Sequence, residues 1–188
     1  MMANNDNNDN PPQTVGMTNT DRVFLVFLFG VVILTGWLGY EAYLEGHRTE
    51  TTKESGEAWA KWLTVAGTER FNKDYSPSAC APTDSTSNTP HVWGECLKAI
   101  TTASAELSNL INPFTQEPIA IVGECDKDEH TTTGQMILQK ALPTPPGSAI
   151  PFDVTLLSDS DVIDKKIQIH ITICDGGDYP IKIAEVEF

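Results

Sequence analysis

An uncharged run of 18 residues, Val23–Tyr40, dominates the first quarter of the chain. As an α-helix it would be roughly 27 Å long, which is close to the thickness of one hydrocarbon core. Apolar residues lie on every face of that helix, and Phe24–Phe29 are all apolar and consecutive, which is not typical of a half-buried surface helix. The sequence therefore predicts a transmembrane helix over residues 23–44 rather than the core helix of a soluble domain.

The flanks of this run favour an uncleaved anchor over a cleaved signal peptide. A signal peptide needs a basic region before the run and a small-x-small site after it. Arg22 is the only basic residue before the run, and the bulky segment Trp37–Tyr40 ends the run. Trp37, Tyr40 and Tyr43 are suited to an aromatic belt at the membrane surface.

The 22 residues before the run are rich in Asn and Asp and have no large apolar cluster. Such a segment buries too little surface to offset the entropy of ordering it. We expect residues 1–22 to be a disordered cytoplasmic tail or a leader. Met17 lies within it and is an alternative start of the chain.

The cysteines indicate the orientation of the anchor. All four follow the span, and none forms a C-x-x-C pair, which favours disulfides in an oxidising compartment. We therefore expect a single-pass inner-membrane protein with a cytoplasmic N-terminus and a periplasmic or extracellular domain over residues 45–188. Of the three possible pairings, the positions of the cysteines at loop and strand ends favour Cys80–Cys96 with Cys125–Cys174. A zinc site is disfavoured because closely spaced pairs are absent.

The charge of the chain excludes one class of partner and the composition supports a folded domain. The formal net charge is −14, which repels phosphate backbones, so nucleic acid is not an expected partner. Hydrophobic residues make up 40% of the chain, enough for a globular core. The expected partners are the lipid bilayer and either further copies of this chain or other envelope membrane proteins.

Two helices are predicted in the first part of the outer domain. Apolar residues spaced three and four apart predict a helix from Glu41 to about Tyr75, continuous with the span or broken near Gly46 and Gly56. A second helix is predicted from His91 to Ile111, and Asn112-Pro113 ends it.

The pattern then changes to the alternation typical of strands. Asp175–Asp178 is suited to a hairpin turn, and the apolar phase slips between Ile183 and Val186, which allows a bulge. Helices followed by strands predict an α+β fold with an antiparallel sheet of about four or five strands, stapled by disulfides. The predicted strands are 119–125, 134–142, 152–156, 167–173 and 181–188.

No pattern in the chain identifies a reaction. Signatures of nucleophilic hydrolases, zinc proteases and phosphate-binding loops are absent from the sequence. His170 is interpreted as a satisfied histidine on a sheet face rather than a base. Two acidic clusters could offer oxygens to Ca²⁺, but neither has the EF-hand spacing, so solvated turns are the favoured interpretation. We expect no catalytic residue, metal or cofactor, and no enzyme. The clusters are Asp126, Asp128 and Glu129, and Asp159, Asp161 and Asp164.

The order of these segments resembles type IV pilins and the pseudopilins of type II secretion. Gly16-Met17 is similar to the prepilin peptidase site, which follows a glycine, and Asp21 is the fifth residue after it, where the family has Glu. Residues 112–118, Asn-Pro-Phe-Thr-Gln-Glu-Pro, resemble the D-P-W-G-x-P segment of major pseudopilins with one residue more.

The resemblance implies a structural subunit of a filament or secretion pseudopilus. Its span would pack into a helical core, and its outer domain would be displayed. In this family the carboxylate at the fifth position pairs with the amino terminus of a neighbouring subunit, since a buried charge needs a partner. The alternative is a permanently anchored accessory or binding domain of an envelope complex, for which small residues in the span would offer helix contacts.

Overall fold

A computed structural model describes residues 16–83, 89–103, 105–143 and 152–188. Residues 1–15, most of the predicted tail, lie outside the described residues. Helix α1 comprises Asn19–Glu69, so Asn19–Arg22, which were assigned to the tail, form its first turn. The described chain divides into two compact units, one up to Ala42 and one from Tyr43 to Phe188, which we call the head.

Helix α1 is long and apolar enough to cross a membrane. Its most apolar window of 18 residues has a mean hydropathy of 2.3 and no buried residue. We call residues 23–42 its apolar half and residues 43–69 its packed half.

The packed half of α1 buries one stripe of small and apolar residues against the sheet. Trp59 and Leu63 are its large members, and spacings of three and four keep the stripe on one face. The sequence left open a continuous helix or a break near Gly46 and Gly56, and α1 is continuous through both. A Cβ on Gly56 would lie 3.0–3.3 Å from Ile173 and Ile183, so this glycine allows close packing of the helix on the sheet. The stripe consists of Thr52, Ser55, Gly56, Trp59, Leu63, Ala66 and Gly67.

The second predicted helix is shorter than expected. A 3-10 turn at Ser78–Cys80 is followed by α2 over Trp93–Ala103 and by α3 over Ala105–Ser108. Trp93, Cys96 and Ile100 of α2 are buried, but Ile111, predicted on the same face, is 43% exposed.

The sheet has four antiparallel strands in the order β2-β1-β3-β4. The strands are β1 over Met136–Pro143, β2 over Phe152–Leu156, β3 over Gln168–Cys174 and β4 over Pro180–Glu187. The expected alternation is clearest in β3, where Ile169, Ile171 and Ile173 are all fully buried. The predicted bulge is present: Ile171 faces Ala184 and Thr172 faces Lys182, which leaves Ile183 as the extra residue.

The prediction of a strand at 119–125 is wrong. This segment makes one parallel bridge, between Ile121 and Met136, and no longer ladder. Ala120 accepts a backbone hydrogen bond from Met136, and Val122 donates one to the same residue. The apolar residues of this segment therefore cover the start of β1 without becoming a strand. The fold is α+β, as predicted, and the described residues form a sheet of four strands.

Candidate functional site

The N-terminus of α1 contains the residues that the sequence predicted for processing and assembly. Gly16, Met17 and Thr18 precede the first helical residue, and Asp21 lies in the first turn. Oδ2 of Asp21 accepts hydrogen bonds from the backbone nitrogen of Thr18 at 2.9 Å and from its Oγ1 at 2.7 Å. The backbone nitrogen of Asp21 donates in return to Oγ1 of Thr18 at 3.3 Å. This reciprocal arrangement is a capping box, which satisfies donors that a helix start leaves unpaired.

The charge of Asp21 is stabilised where it lies. The side-chain and backbone hydrogen bonds from Thr18 hold the pKa of Asp21 below its ordinary value. Its negative charge also lies at the positive end of the helix dipole. Asp21 is therefore an exposed carboxylate bonded to Thr18, and cleavage after Gly16 would create a new amino group on Met17, the residue before Thr18.

The apolar half of α1 presents an exposed surface of large apolar side chains. Phe27, Ile33 and Trp37 are 69%, 68% and 67% exposed. A Cβ added to Gly30, Gly36 or Gly39 would meet no other atom within 4 Å. The surface fits a lipid bilayer or other helices.

The head is cross-linked at two places. Cys80 is bonded to Cys96 and Cys125 to Cys174, which are the pairs favoured from the sequence. The first links the 3-10 turn to α2, and the second links the 119–125 segment to the end of β3. The bonds close loops of 16 and 49 residues, and such links chiefly restrict the unfolded chain.

Arg70, one residue beyond α1, is a buried cation that sequence reasoning missed. It is fully buried and donates to the backbone oxygens of Cys80, Ile163 and Lys165 at 3.3, 2.5 and 2.7 Å. Its guanidinium lies 4.3 Å from the ring centroid of Phe188. Burial lowers the pKa of Arg70, and the nearby charges of Tyr75 and Asp164 oppose that effect. In the sequence Arg70 is typical of an exposed helix end, and no local signal marks it as buried.

Asp178 is the second buried charge that the sequence did not reveal. It lies in the predicted hairpin turn with a φ of 56°, and its side chain is fully buried. Its carboxylate accepts hydrogen bonds from Oγ1 of Thr132 at 2.7 Å and of Thr133 at 2.6 Å, and Nδ1 of His130 lies 3.0 Å away. Burial raises the pKa of Asp178, but these hydrogen bonds lower it more, so the net value is below the ordinary one. Asp178 thus fixes the 125–134 loop to the β3–β4 turn.

The segment that resembles the pseudopilin motif forms a tight turn between α3 and β1. The backbone nitrogen of Asn112 donates to Glu117 at 2.8 Å, and that of Gln116 donates to Asn112 at 2.8 Å. The buried side chain of Asn112 donates to the backbone oxygen of Thr133 at 2.7 Å and accepts from the nitrogen of Phe114 at 2.9 Å. A Cβ on Gly134 would lie 2.3 Å from Oδ1 of Asn112, so this position requires glycine. Asn112 therefore connects the motif to the loop that Asp178 also holds.

An open cleft of about 640 Å³ lies beside the core of the head. Trp59, Trp93, Leu97, Ile121 and Leu138 contribute its apolar walls, while Lys98 and Asp159 lie at the same cleft. Trp59 and Trp93 are 5% and 1% exposed, so both are core residues that also line the cleft.

The acidic clusters have structural partners. Asp161 forms an ion pair with Lys140, and Oδ1 of Asp164 accepts from the nitrogen and the hydroxyl of Thr83 at 2.9 and 2.5 Å. Oδ1 of Asp126 accepts from the backbone nitrogens of Asp128 and Glu129. Among the described residues, no group of three or more His, Cys, Asp or Glu side chains is placed to hold a metal ion.

His170 is not fully satisfied, contrary to the sequence interpretation. Nε2 lies 3.4 Å from Oε1 of Glu185 but has no hydrogen-bond partner among the described residues. The histidine faces Gln139 on β1 and Glu185 on β4. Its place is still a sheet face.

Comparisons with family models, with curated proteins and with solved structures find no match to this chain. The resemblance to pilins therefore depends on the residues and the architecture of this chain alone.

Proposed function

We propose that this protein is a structural subunit of a pilin-like filament or secretion pseudopilus in the bacterial cell envelope. The apolar half of α1 would pack with the same segment of other copies, and the head would be displayed at the surface. The observation that carries the proposal is the division of α1 itself. α1 is one helix of 51 residues. None of the residues in the most apolar window of its apolar half is buried, whereas its packed half belongs to a cross-linked α+β head.

The negative charge of Asp21 supports the assembly proposal. A helix bundle built from residues 23–42 would surround the start of α1 with apolar side chains, and an unpaired carboxylate there is costly. Thr18 donates its two hydrogen bonds to Oδ2 of this carboxylate, and within the described part of the chain Oδ1 is left for a cation. Cleavage after Gly16 would supply such a cation as the amino group of Met17, on the same or a neighbouring subunit.

A permanently anchored envelope domain is the second candidate, and the capping box favours it. Thr18 and Asp21 satisfy each other at the helix start, which accounts for an acidic residue there without any neighbouring subunit. In this case residues 23–44 would only hold the head in the inner membrane, and the head would bind other envelope proteins.

Variants of the helix start separate the two candidates. Asp21→Asn keeps a side-chain oxygen for the capping box but removes the charge, while Thr18→Ser keeps the box and the charge. The filament proposal expects Asp21→Asn to abolish recovery of the protein in sheared surface material, with its amount in the membrane unchanged and Thr18→Ser normal. Equal recovery of wild type and Asp21→Asn after shearing would contradict a charge-paired assembly. Absence of the wild-type protein from sheared material would favour the anchored domain.

A further inference from the structure

The cleft beside the core of the head has apolar surface that a ligand can reach. Its volume of about 640 Å³ is typical of sites for small molecules. It is lined by α2, by the 119–123 segment, and by the end of β2 with the residues that follow it. Leu156 is 47% exposed, and Leu97 and Ile121 are half-buried. These three side chains therefore offer apolar contacts to a bound molecule.

The 119–123 segment has an unpaired set of backbone hydrogen-bonding groups at this cleft. The backbone nitrogen of Val122 donates to Met136 at 2.8 Å, and that of Met136 donates to Ala120 at 3.0 Å. In such a parallel bridge the residue between them, Ile121, directs its own N–H and C=O away from β1. Neither group has a hydrogen-bond partner in the described part of the chain. Both can therefore pair with the backbone of an extended peptide, as the edge of a sheet does.

Lys98 and Asp159 place one charge of each sign at the cleft. Both residues are exposed, and neither forms an ion pair with another described residue. A Cβ on Gly94 would lie 2.8 Å from Cβ of Asp159, and Lys98 is about 6 Å further along the same face of α2. The termini of an extended peptide of two or three residues are about 7–10 Å apart. Because the four-carbon stem of lysine is flexible, the two charges can reach both termini of such a peptide.

We propose that this cleft binds short apolar peptides of two or three residues with free termini. Asp159 binds the terminal ammonium, Lys98 binds the terminal carboxylate, and the backbone of Ile121 pairs with the peptide between them. A zwitterion is complementary to both charges of the cleft, whereas a purely anionic or cationic ligand leaves one of them unpaired. Apolar side chains of the peptide pack on Leu97 and Leu156. This binding is separate from filament assembly and involves the head alone.

Calorimetric titration of the full chain in nonionic detergent with trileucine tests this proposal. A titration of empty micelles gives the heat of partition into detergent, which is subtracted. N-acetyl trileucine lacks the ammonium, trileucine amide lacks the carboxylate, and triserine lacks the apolar side chains. We expect saturable binding of trileucine at one site, and about tenfold weaker binding of each blocked peptide, since each loses one charge-assisted hydrogen bond. Triserine should bind more weakly than trileucine.

Variants of the two charged residues connect each terminus to its partner. Lys98→Met should weaken trileucine about tenfold but bind trileucine amide as wild type does, because that ligand has no carboxylate to lose. Asp159→Asn should weaken trileucine similarly but bind N-acetyl trileucine as wild type does. A variant that is merely misfolded would lose both ligands of its pair. Lys61→Met, which removes an exposed lysine outside the cleft, should bind every peptide as wild type does.

Three results would overturn the proposal. If trileucine shows no saturable binding up to its solubility limit, the cleft is not a peptide site. If trileucine and its two blocked forms bind equally well, Lys98 and Asp159 do not bind the termini and instead pair with each other or with water. If Lys98→Met and Lys61→Met change the affinity for trileucine by the same factor, the effect of Lys98 is not that of a residue in the site.

Discussion

The two halves of α1 belong to one helix but are stabilised by different surroundings. In the apolar half, large side chains such as Phe24, Phe27 and Leu34 are more than 60% exposed to the space around the chain. In the packed half, Trp59, Leu63 and Ala66 are buried, while Lys61 on another face is exposed. A helix that is apolar all round needs lipid or other helices, whereas one with a single apolar stripe needs a sheet. The contrast predicts that the same kind of substitution has different consequences in the two halves.

Truncation of a leucine in the packed half should destabilise the head, whereas truncation of a leucine in the apolar half should not. Leu63 is fully buried, so Leu63→Ala should lower the free energy of unfolding of the head by about 2–5 kcal/mol, from lost burial and the cavity left behind. Leu34→Ala in the apolar half should leave it unchanged. Denaturant titration in mild detergent, followed by tryptophan fluorescence, measures both. A similar loss in the two variants would contradict the division of the helix.

An added positive charge should impair membrane insertion when it is in the apolar half and have no effect on insertion when it is in the packed half. Ile33→Arg places a cation near the middle of the predicted span and should disfavour insertion by about 2.5–3.5 kcal/mol. Val65→Arg adds the same side chain in the packed half, at a residue that is 49% exposed, and insertion should be normal. The fraction of protein that stays in carbonate-washed membranes reports insertion. Normal retention of Ile33→Arg would mean that residues 23–44 do not span a bilayer.

Glycine-to-alanine substitutions should differ in sign along the helix. A Cβ on Gly67 would lie 2.1 Å from the backbone oxygen of Glu187, so Gly67→Ala should push β4 away and cost about 1–3 kcal/mol. A Cβ on Gly46 meets nothing within 4 Å, and Gly46→Ala should stabilise the helix by about 0.5–1 kcal/mol. Thermal unfolding monitored by circular dichroism would distinguish them. A stabilised Gly67→Ala variant would contradict the close contact of α1 with β4.

The smallest effect concerns pH and belongs to the head alone. The folded pKa of Asp178 is below its ordinary value of 3.8, so its ionised form stabilises the head above pH 3.8. This contribution should be lost as the pH falls below 3.8 and through the folded pKa. Asp178→Asn should make the unfolding free energy of the head less dependent on pH in that range, while Asp128→Asn, an exposed control, should behave as wild type. An unchanged acid dependence in Asp178→Asn would show that this carboxylate does not stabilise the head.

The parts of the fold that were predictable are those with a strong local pattern. The uncharged run marks the apolar half of α1, and the alternating isoleucines mark β3. The errors have a tertiary cause. Gly56 suggested a break, but its missing Cβ is used for contact with Ile173 and Ile183. Residues 119–125 have a strand pattern, but they pair with β1 at a single bridge.

The buried charges could not be predicted from their neighbours in the sequence. Arg70 binds backbone oxygens of residues 80, 163 and 165, and Asp178 is held by residues 130, 132 and 133. These contacts join positions 10 to 95 residues apart, so no local period or motif contains them. The helix start is different, since Thr18 and Asp21 have the spacing of a capping box and could have been recognised as one.

The central claim is that α1 is a filament helix processed at its N-terminus. Intact mass and N-terminal peptide mapping of the protein, taken both from native membranes and from sheared surface material, test this claim most directly. The account predicts chains that begin at Met17 with an N-methyl group, recovered in the sheared material. Chains with residues 1–16 still attached and found only in membranes would contradict it, and an unmethylated Met17 would indicate that translation starts there.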